Sequence, residues 1–224
     1  MSRCQFSRRV PEMTDNLVRL YGQAVAADHI AGTEWYPRAR AIVGEWATYY
    51  GYTHDTVACV IAAISPRCSW ERNLVIANDV LSERPPSIGA LRANVDKAIA
   101  LRNEDTNDAY FGPDGEQPTS DAISTRMLRR FPGGPKVNCF AHNLAGHDDV
   151  VTVDTHAVQA ALNDPIAVYG IGWTPYREFA RAYVTAASAV GVPPATFQAI
   201  LWCAWKRLYP AADKRALIRK ANQS

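Results

Sequence analysis

A chain of 224 residues with 48% hydrophobic and 21% charged residues is long enough to bury a generous core and lies far from disordered composition. Its formal net charge of +2 neither demands nor repels a nucleic-acid partner, so charge placement has to decide. The five cysteines, Cys4, Cys59, Cys68, Cys139 and Cys203, are scattered, odd in number and without a C-x-x-C pair, which points to neither a disulfide framework nor a cysteine-rich metal knot.

The N-terminal stretch "MSRCQFSRRVPEM" is basic but lacks an apolar core of signal-peptide length, and no run approaches a membrane span. The expectation is a cytoplasmic protein with no membrane partner. Helical periodicity then dominates and nothing alternates with period two over a strand's length, so the predicted class is all-α, one domain over residues 1–224 with a bilobed arrangement. The first predicted helix is "TDNLVRLYGQAVAADHI", with Thr14 or Asp15 as N-cap. The second, "YPRARAIVGEWATYYGY", is opened by Pro37 and closed near Gly51. "THDTVACVIAAIS" is apolar almost throughout from Val57 to Ile64, belongs in the middle of the core, and ends at Pro66. "SWERNLVIANDVLSE" is amphipathic and capped by Ser69, and "SIGALRANVDKAIALRN" follows it.

Residues 103–120 are polar, rich in Gly and Pro, and read as a long loop; "SDAISTRMLRRF" returns to helix. "GGPKVNCFAHNL" starts a helix with Pro135 in the first position and Lys136 in the first turn, closed by Gly146. "VVTVDTHAVQAAL" delivers the chain to Asp154 as N-cap of the next helix, and "TPYREFARAYVTAASAVG" and "PPATFQAILWCAWKRLY" complete the chain's helices. Two basic clusters stand out, Arg126, Arg129, Arg130 and Lys136 in one, Lys206, Arg207, Lys214, Arg215, Arg219 and Lys220 in the other. Each reads as a solvated helix face or as a phosphate-binding patch.

Lys136 and Asp154 carry the chemistry. The positive end of a helix dipole disfavours an ammonium, so a part-buried lysine in a first helical turn tends toward the neutral amine that a nucleophile needs; the alternative is an exposed lysine at a helix end. An N-cap aspartate accepts backbone N–H groups that keep it ionised and oriented; the alternative is a cap and nothing more. The two lie 18 positions apart, separated by one helix, a Gly146 cap and a short extended return.

This arrangement resembles the helix-hairpin-helix (HhH-GPD) DNA glycosylase superfamily, in particular its endonuclease III-like branch. There a hairpin ending in lysine opens a helix, and a "VDTH" motif follows, matched here by Lys136 and by Val153, Asp154, Thr155 and His156. Upstream, "VIAAISPRCSWERNLVIANDVL" is similar to that family's apolar helix, its turn carrying a base-displacing side chain, and its following helix; Lys97-Ala98 matches a Lys-Ala pair before the hairpin. The resemblance covers residues 55–165, with hairpin and catalytic segment at 126–162. The family's hairpin reads Leu-Pro-Gly-Val-Gly-x-Lys, whereas Phe131 to Lys136 is one residue shorter with Pro135 beside the lysine. The family's four-cysteine motif is absent, only Cys203 lying in that region, so no iron–sulfur cluster is expected.

The resemblance implies a bilobed helical glycosylase fold and a DNA partner, a monomer needing no cofactor. It implies Lys136 and Asp154 as catalytic residues, and Gly133, Gly134, Arg67, Trp70, Arg129 and Arg130 as DNA contacts. His156, Asn73 and His142 fall near the base pocket. The implied activity is excision of a flipped, modified pyrimidine, with AP-lyase cleavage. The final helices and the "SPRCSWERN" turn are also similar to small phage-encoded members, which would place the protein in host cytoplasm and offers an alternative, group transfer onto a modified thymine or hydroxymethyluracil. A non-catalytic DNA-binding module, with Lys136 on a phosphate, is the other reading. Cys139, His142, His147 and His156 with Asp148 and Asp149 match no closed zinc pattern, so no metal is expected. Trp202 and Trp205, with Phe197 and Leu201, form an apolar stripe read as core, with base stacking as its alternative.

Overall fold

The computed structural model describes residues 9–103, 134–167 and 173–210. Of the predicted loop at 103–120, Asn103 closes a helix and the rest, with the helix "SDAISTRMLRRF", Gly133, Arg129, Arg130 and the basic residues beyond 210, lies outside the described residues. Among the described residues every regular element is helical: α1 (Val10–Gly22), α2 (Ala26–Tyr50), α3 (His54–Ile64), α4 (Trp70–Leu81), α5 (Arg92–Asn103), α6 (Pro135–Ala145), α7 (Thr155–Leu162), α8 (Trp173–Val190) and α9 (Pro194–Leu208). The chain divides into two compact units, the first made of Met1–Pro37 and Asp148–Ser224, the second of Arg38–His147.

In the first unit α1 packs against α7, α8 and α9, and α9 packs against α7 and α8. Met13, Leu17 and Leu20, at helical spacing on α1, are buried there. Gly32 marks the closest approach: a Cβ at this position would sit 2.4 Å from the Cα of Ile200, so α2 and α9 meet backbone to backbone. Arg207, near the end of α9, donates to Asp28 Oδ2 with its NH2 nitrogen at 2.8 Å and thereby joins the start of α2 to the end of α9.

The first two helices differ from the sequence expectation. α1 begins at Val10 with Arg9 as its cap residue and Pro11 in the first turn; Thr14 lies inside it, its hydroxyl donating to the Val10 carbonyl at 2.9 Å. The chain then breaks at Gln23 to Val25, where the Asp28 carboxylate accepts the Val25 amide at 3.0 Å and seeds a new helix. Pro37 does not open that helix but lies within it. An interior proline costs about 3 kcal/mol of helix propensity, and burial of Tyr36, Ala39 and Val43 around it outweighs that cost.

In the second unit α3 is the axis, with α4, α5 and α6 packed around it. Its residues from Thr56 to Ile64 are all buried, as a helix apolar on every side must be. Each fully buried Val or Ile contributes roughly 1.5–3 kcal/mol, so α3 is the main hydrophobic anchor for the elements that carry functional side chains. Thr53 caps it, accepting the Thr56 amide at 3.1 Å. No single helix among the described residues is long and apolar enough to cross a membrane.

Candidate active site

In the second unit, Gly134 precedes α6 as cap residue with φ −72° and ψ 175°, extended backbone that does not require glycine. Pro135 follows in the first turn, where its missing N–H has no intrahelical acceptor to satisfy. Lys136 is half-buried, and its Nζ donates to the Ser65 hydroxyl at 3.2 Å. The same ammonium lies 5.8 Å from the Phe140 ring, one turn along α6, and Phe140 meets the edge of Trp70 at 6.4 Å. Lys136, Ser65, Phe140 and Trp70 therefore form one cluster.

Ser65 caps the C-terminus of α3, the negative end of that helix's dipole. This adds to the sequence reading. The start of α6 disfavours the ammonium, but the Ser65 oxygen and the α3 terminus favour it. Ser65 also begins the turn that carries Arg67. Its carbonyl accepts the Cys68 amide at 3.3 Å, the Pro66 carbonyl accepts Asn94 Nδ2 at 3.1 Å, and Ser69 caps α4 by accepting the Arg72 amide at 3.4 Å. Held on these sides, Arg67 is exposed at φ 59°, a left-handed conformation uncommon for a side-chain-bearing residue.

Asn73 and His142 belong to the interior of this unit, 2% and 3% exposed. The Asn73 Oδ1 is buried and meets no hydrogen-bond donor among the described residues. His142 packs against His147, ring centroids 5.3 Å apart; burial first, and the neighbouring His147 second, push its pKa down to about 3. It is therefore neutral at physiological pH.

Asp154 belongs to the first unit. The preceding residues, Val150 to Val153, are buried, and one side chain holds two of them: the Tyr176 hydroxyl donates to the Val151 carbonyl at 2.7 Å and accepts the Val153 amide at 3.0 Å. Asp154 is half-buried, and its Oδ1 accepts the Ala157 amide at 2.8 Å, the N-cap bond expected from sequence. Beneath it, Tyr183 donates to the Ala157 carbonyl at 3.1 Å; burial, reinforced by the Asp154 charge, raises that phenol well above its ordinary range. Trp205 Nε1 donates to Gln159 Oε1 at 3.4 Å and locks α7 from the same side.

His156 is half-buried beside Trp202, ring centroids 6.3 Å apart, and the Lys206 ammonium lies 3.9 Å over the Trp202 ring. Phe197, Leu201 and Trp205 are core residues, as their stripe suggested, whereas Trp202 is half-buried. Of the C-terminal basic cluster, Arg207 serves the Asp28 ion pair and Lys206 the Trp202 face. Among the described residues no three His, Cys, Asp or Glu side chains group as a metal site. Sequence spacing singled out Lys136 and Asp154 but gave no sign of Ser65 or Tyr176, whose hydroxyls act across 71 and 23–25 positions.

A family model described as a family of unknown function (DUF7178) matches residues 2–208. No curated protein and no solved structure matches the chain.

Proposed function

The chain belongs to the DUF7178 family, and from that premise we propose that it is a DNA glycosylase with lyase character acting on a flipped, modified pyrimidine. Two separate observations support the reading: a first-turn lysine anchored by Ser65 and, 18 positions on, an N-capping aspartate in a "VDTH" segment at the start of the next helix. The resemblance to the HhH-GPD superfamily supplies the roles.

A nucleobase inside a duplex cannot be reached, so the target nucleotide leaves the stack. Asp154 stabilises the positive charge that develops on the sugar as the C1′–N bond breaks. The neutral amine of Lys136 forms the new Nζ–C1′ bond while the departing base takes up a proton. The C1′–O4′ bond then breaks as O4′ takes up the proton that Nζ sheds, giving an imine, and loss of a C2′ proton to water forms the C2′–C3′ double bond as the 3′ phosphate leaves. Arg67 and Trp70 lie on or beside the turn that would fill the gap in the stack, and Gly134 with Arg129 and Arg130 would meet phosphates. This chemistry calls for no metal or organic cofactor.

The test is incubation with duplexes bearing an abasic site or hypermodified pyrimidines, with borohydride present, followed by mass analysis of released and retained nucleosides. Free base and a covalent adduct on Lys136 are expected. An altered base retained in the polymer would assign group transfer instead, and tight binding without either product would assign a DNA-binding module. Trapping that survives Lys136→Ala would remove this lysine from the chemistry.

A further inference from the structure

The second unit carries a groove of about 950 Å³ that the DNA chemistry leaves unused. Its walls come from the C-terminal ends of α2 and α4 and from the residue after α2's turn. Four aromatic side chains line it: Trp46, Tyr49 and Tyr50 on the last turns of α2, and Tyr52 just beyond. Tyr49 is 79% exposed, a large ring kept in solvent at the groove.

The far wall is built and hydrogen-bonded. Tyr50 Oη bonds with Asn78 Oδ1, and the Ser82 hydroxyl lies 3.1 Å from Tyr50 Oη and 2.6 Å from the Asn78 carbonyl oxygen. Tyr49 stands edge-on to Tyr50, centroids 4.8 Å apart, and the Tyr50 ring is itself held by its hydrogen bonds to Asn78 and Ser82.

The groove's lining carries two carboxylates, Glu45 and Glu83, against one guanidinium, Arg84, which lies 3.3 Å from the Asp79 carboxylate. The last turn of α2 carries no basic residue, so its negative dipole end adds to the field; at α4 the Arg102 guanidinium already serves the Val80 carbonyl. Glu83 is also held at φ 59°, a left-handed conformation that disfavours a side chain. A glycine would be the relaxed choice after a helix end, yet this position carries a carboxylate at the rim of the groove.

Faces of aromatic rings, exposed carboxylates and a helix C-terminus all attract the same kind of ligand. We propose that this groove binds a small organic cation, an alkylated ammonium seated against Trp46 and Tyr49 with Glu45 and Glu83 facing its charge. A neutral apolar ligand would gain contact with the rings but nothing from the carboxylates or the dipole. None of these residues enters the Lys136 chemistry, so failure of either reading leaves the other standing.

Isothermal titration of the full chain with choline and with its neutral isostere, 3,3-dimethylbutan-1-ol, tests the proposal. Choline is expected to bind roughly tenfold or more tighter than the isostere. Trp46→Leu removes the largest ring, and Glu83→Gly removes a carboxylate while relieving the left-handed strain, so Glu83→Gly should melt at the same temperature or higher yet bind choline several-fold more weakly. Equal binding of choline and isostere, no choline binding up to about 10 mM, or choline affinity unchanged by Glu83→Gly would each overturn it.

Discussion

The Lys136 ammonium lies 3.2 Å from the Ser65 hydroxyl, so the first turn of α6 is tied to the C-cap residue of α3 by a charged hydrogen bond. A free lysine side chain carries about 2 kcal/mol of rotamer entropy, and this contact removes much of it in advance. Ser65→Ala is expected to slow imine trapping by about tenfold while lowering stability by only about 1 kcal/mol, the worth of one hydrogen bond. Single-turnover trapping beside thermal melting checks it. An unchanged trapping rate would leave Ser65 as a helix cap only.

Asp154→Asn keeps an oxygen to accept the Ala157 amide, so stability should change by about half a kcal/mol or less, whereas Asp154→Ala loses the cap and should cost about 1 kcal/mol. Both remove the negative charge that opposes the developing cation. Turnover on a verified DNA substrate should fall by orders of magnitude in both, with DNA affinity held or raised. Activity that follows melting temperature, surviving in Asn and lost in Ala, would make the carboxylate structural.

Arg67→Gly removes the side chain and releases its left-handed strain together. The melting temperature should hold or rise. If the side chain fills the space of a displaced nucleotide, affinity for duplex should drop more than affinity for single strand. Equal losses on both would mark an ordinary phosphate contact.

His142 gives the fold a dependence on acid. An unfolded histidine protonates near 6.5, but His142 stays neutral in the fold down to about 3, because burial, and then the His147 charge, oppose its protonation. Below about pH 6.5 the unfolded chain therefore binds more protons, and stability falls as pH drops, levelling near 3. Asp55, whose carboxyl is raised by burial against the opposing pull of His54 and His147, works the other way in the lower part of that window. Melting temperatures of wild type and His142→Gln between pH 7 and 4 should diverge, the variant showing the shallower slope. Parallel profiles would remove His142 as the cause.

What could be read from the sequence was whatever local chemistry decides. Ser69, Gly146 and Asp154 end or begin their helices where their residue types said they would, and the apolar run of α3 is buried as its composition required. The beginning of the chain was not readable in this way. Thr14 and Asp15 look like caps and Pro37 looks like a helix start, but burial of Met13 before them and of Ala39 and Val43 after Pro37 overrides those preferences. The cluster around Lys136 was half visible, since Trp70 and Lys136 carry recognisable types while Ser65 is one serine among several. The aromatic groove left a trace in Glu45, Trp46, Tyr49, Tyr50 and Tyr52, close together along one helix end, but its other wall, Asn78 to Arg84, comes from the end of α4 and the residues after it, which no spacing rule connects to them.

The order of the two units along the chain bears on how the protein is made. The second unit is one continuous stretch, Arg38–His147, and its α3 core closes on neighbours from the same stretch. The first unit needs both flanks, because α1 packs against α7, α8 and α9. On the ribosome α1 emerges before these partners, and its face of Met13, Leu17 and Leu20 stays uncovered by them until well over a hundred further residues have been synthesised. At about 5–20 residues per second that delay lasts many seconds, long compared with helix formation, so the unit that includes Asp154 is the last to assemble and the one most exposed to chaperones and proteases during synthesis.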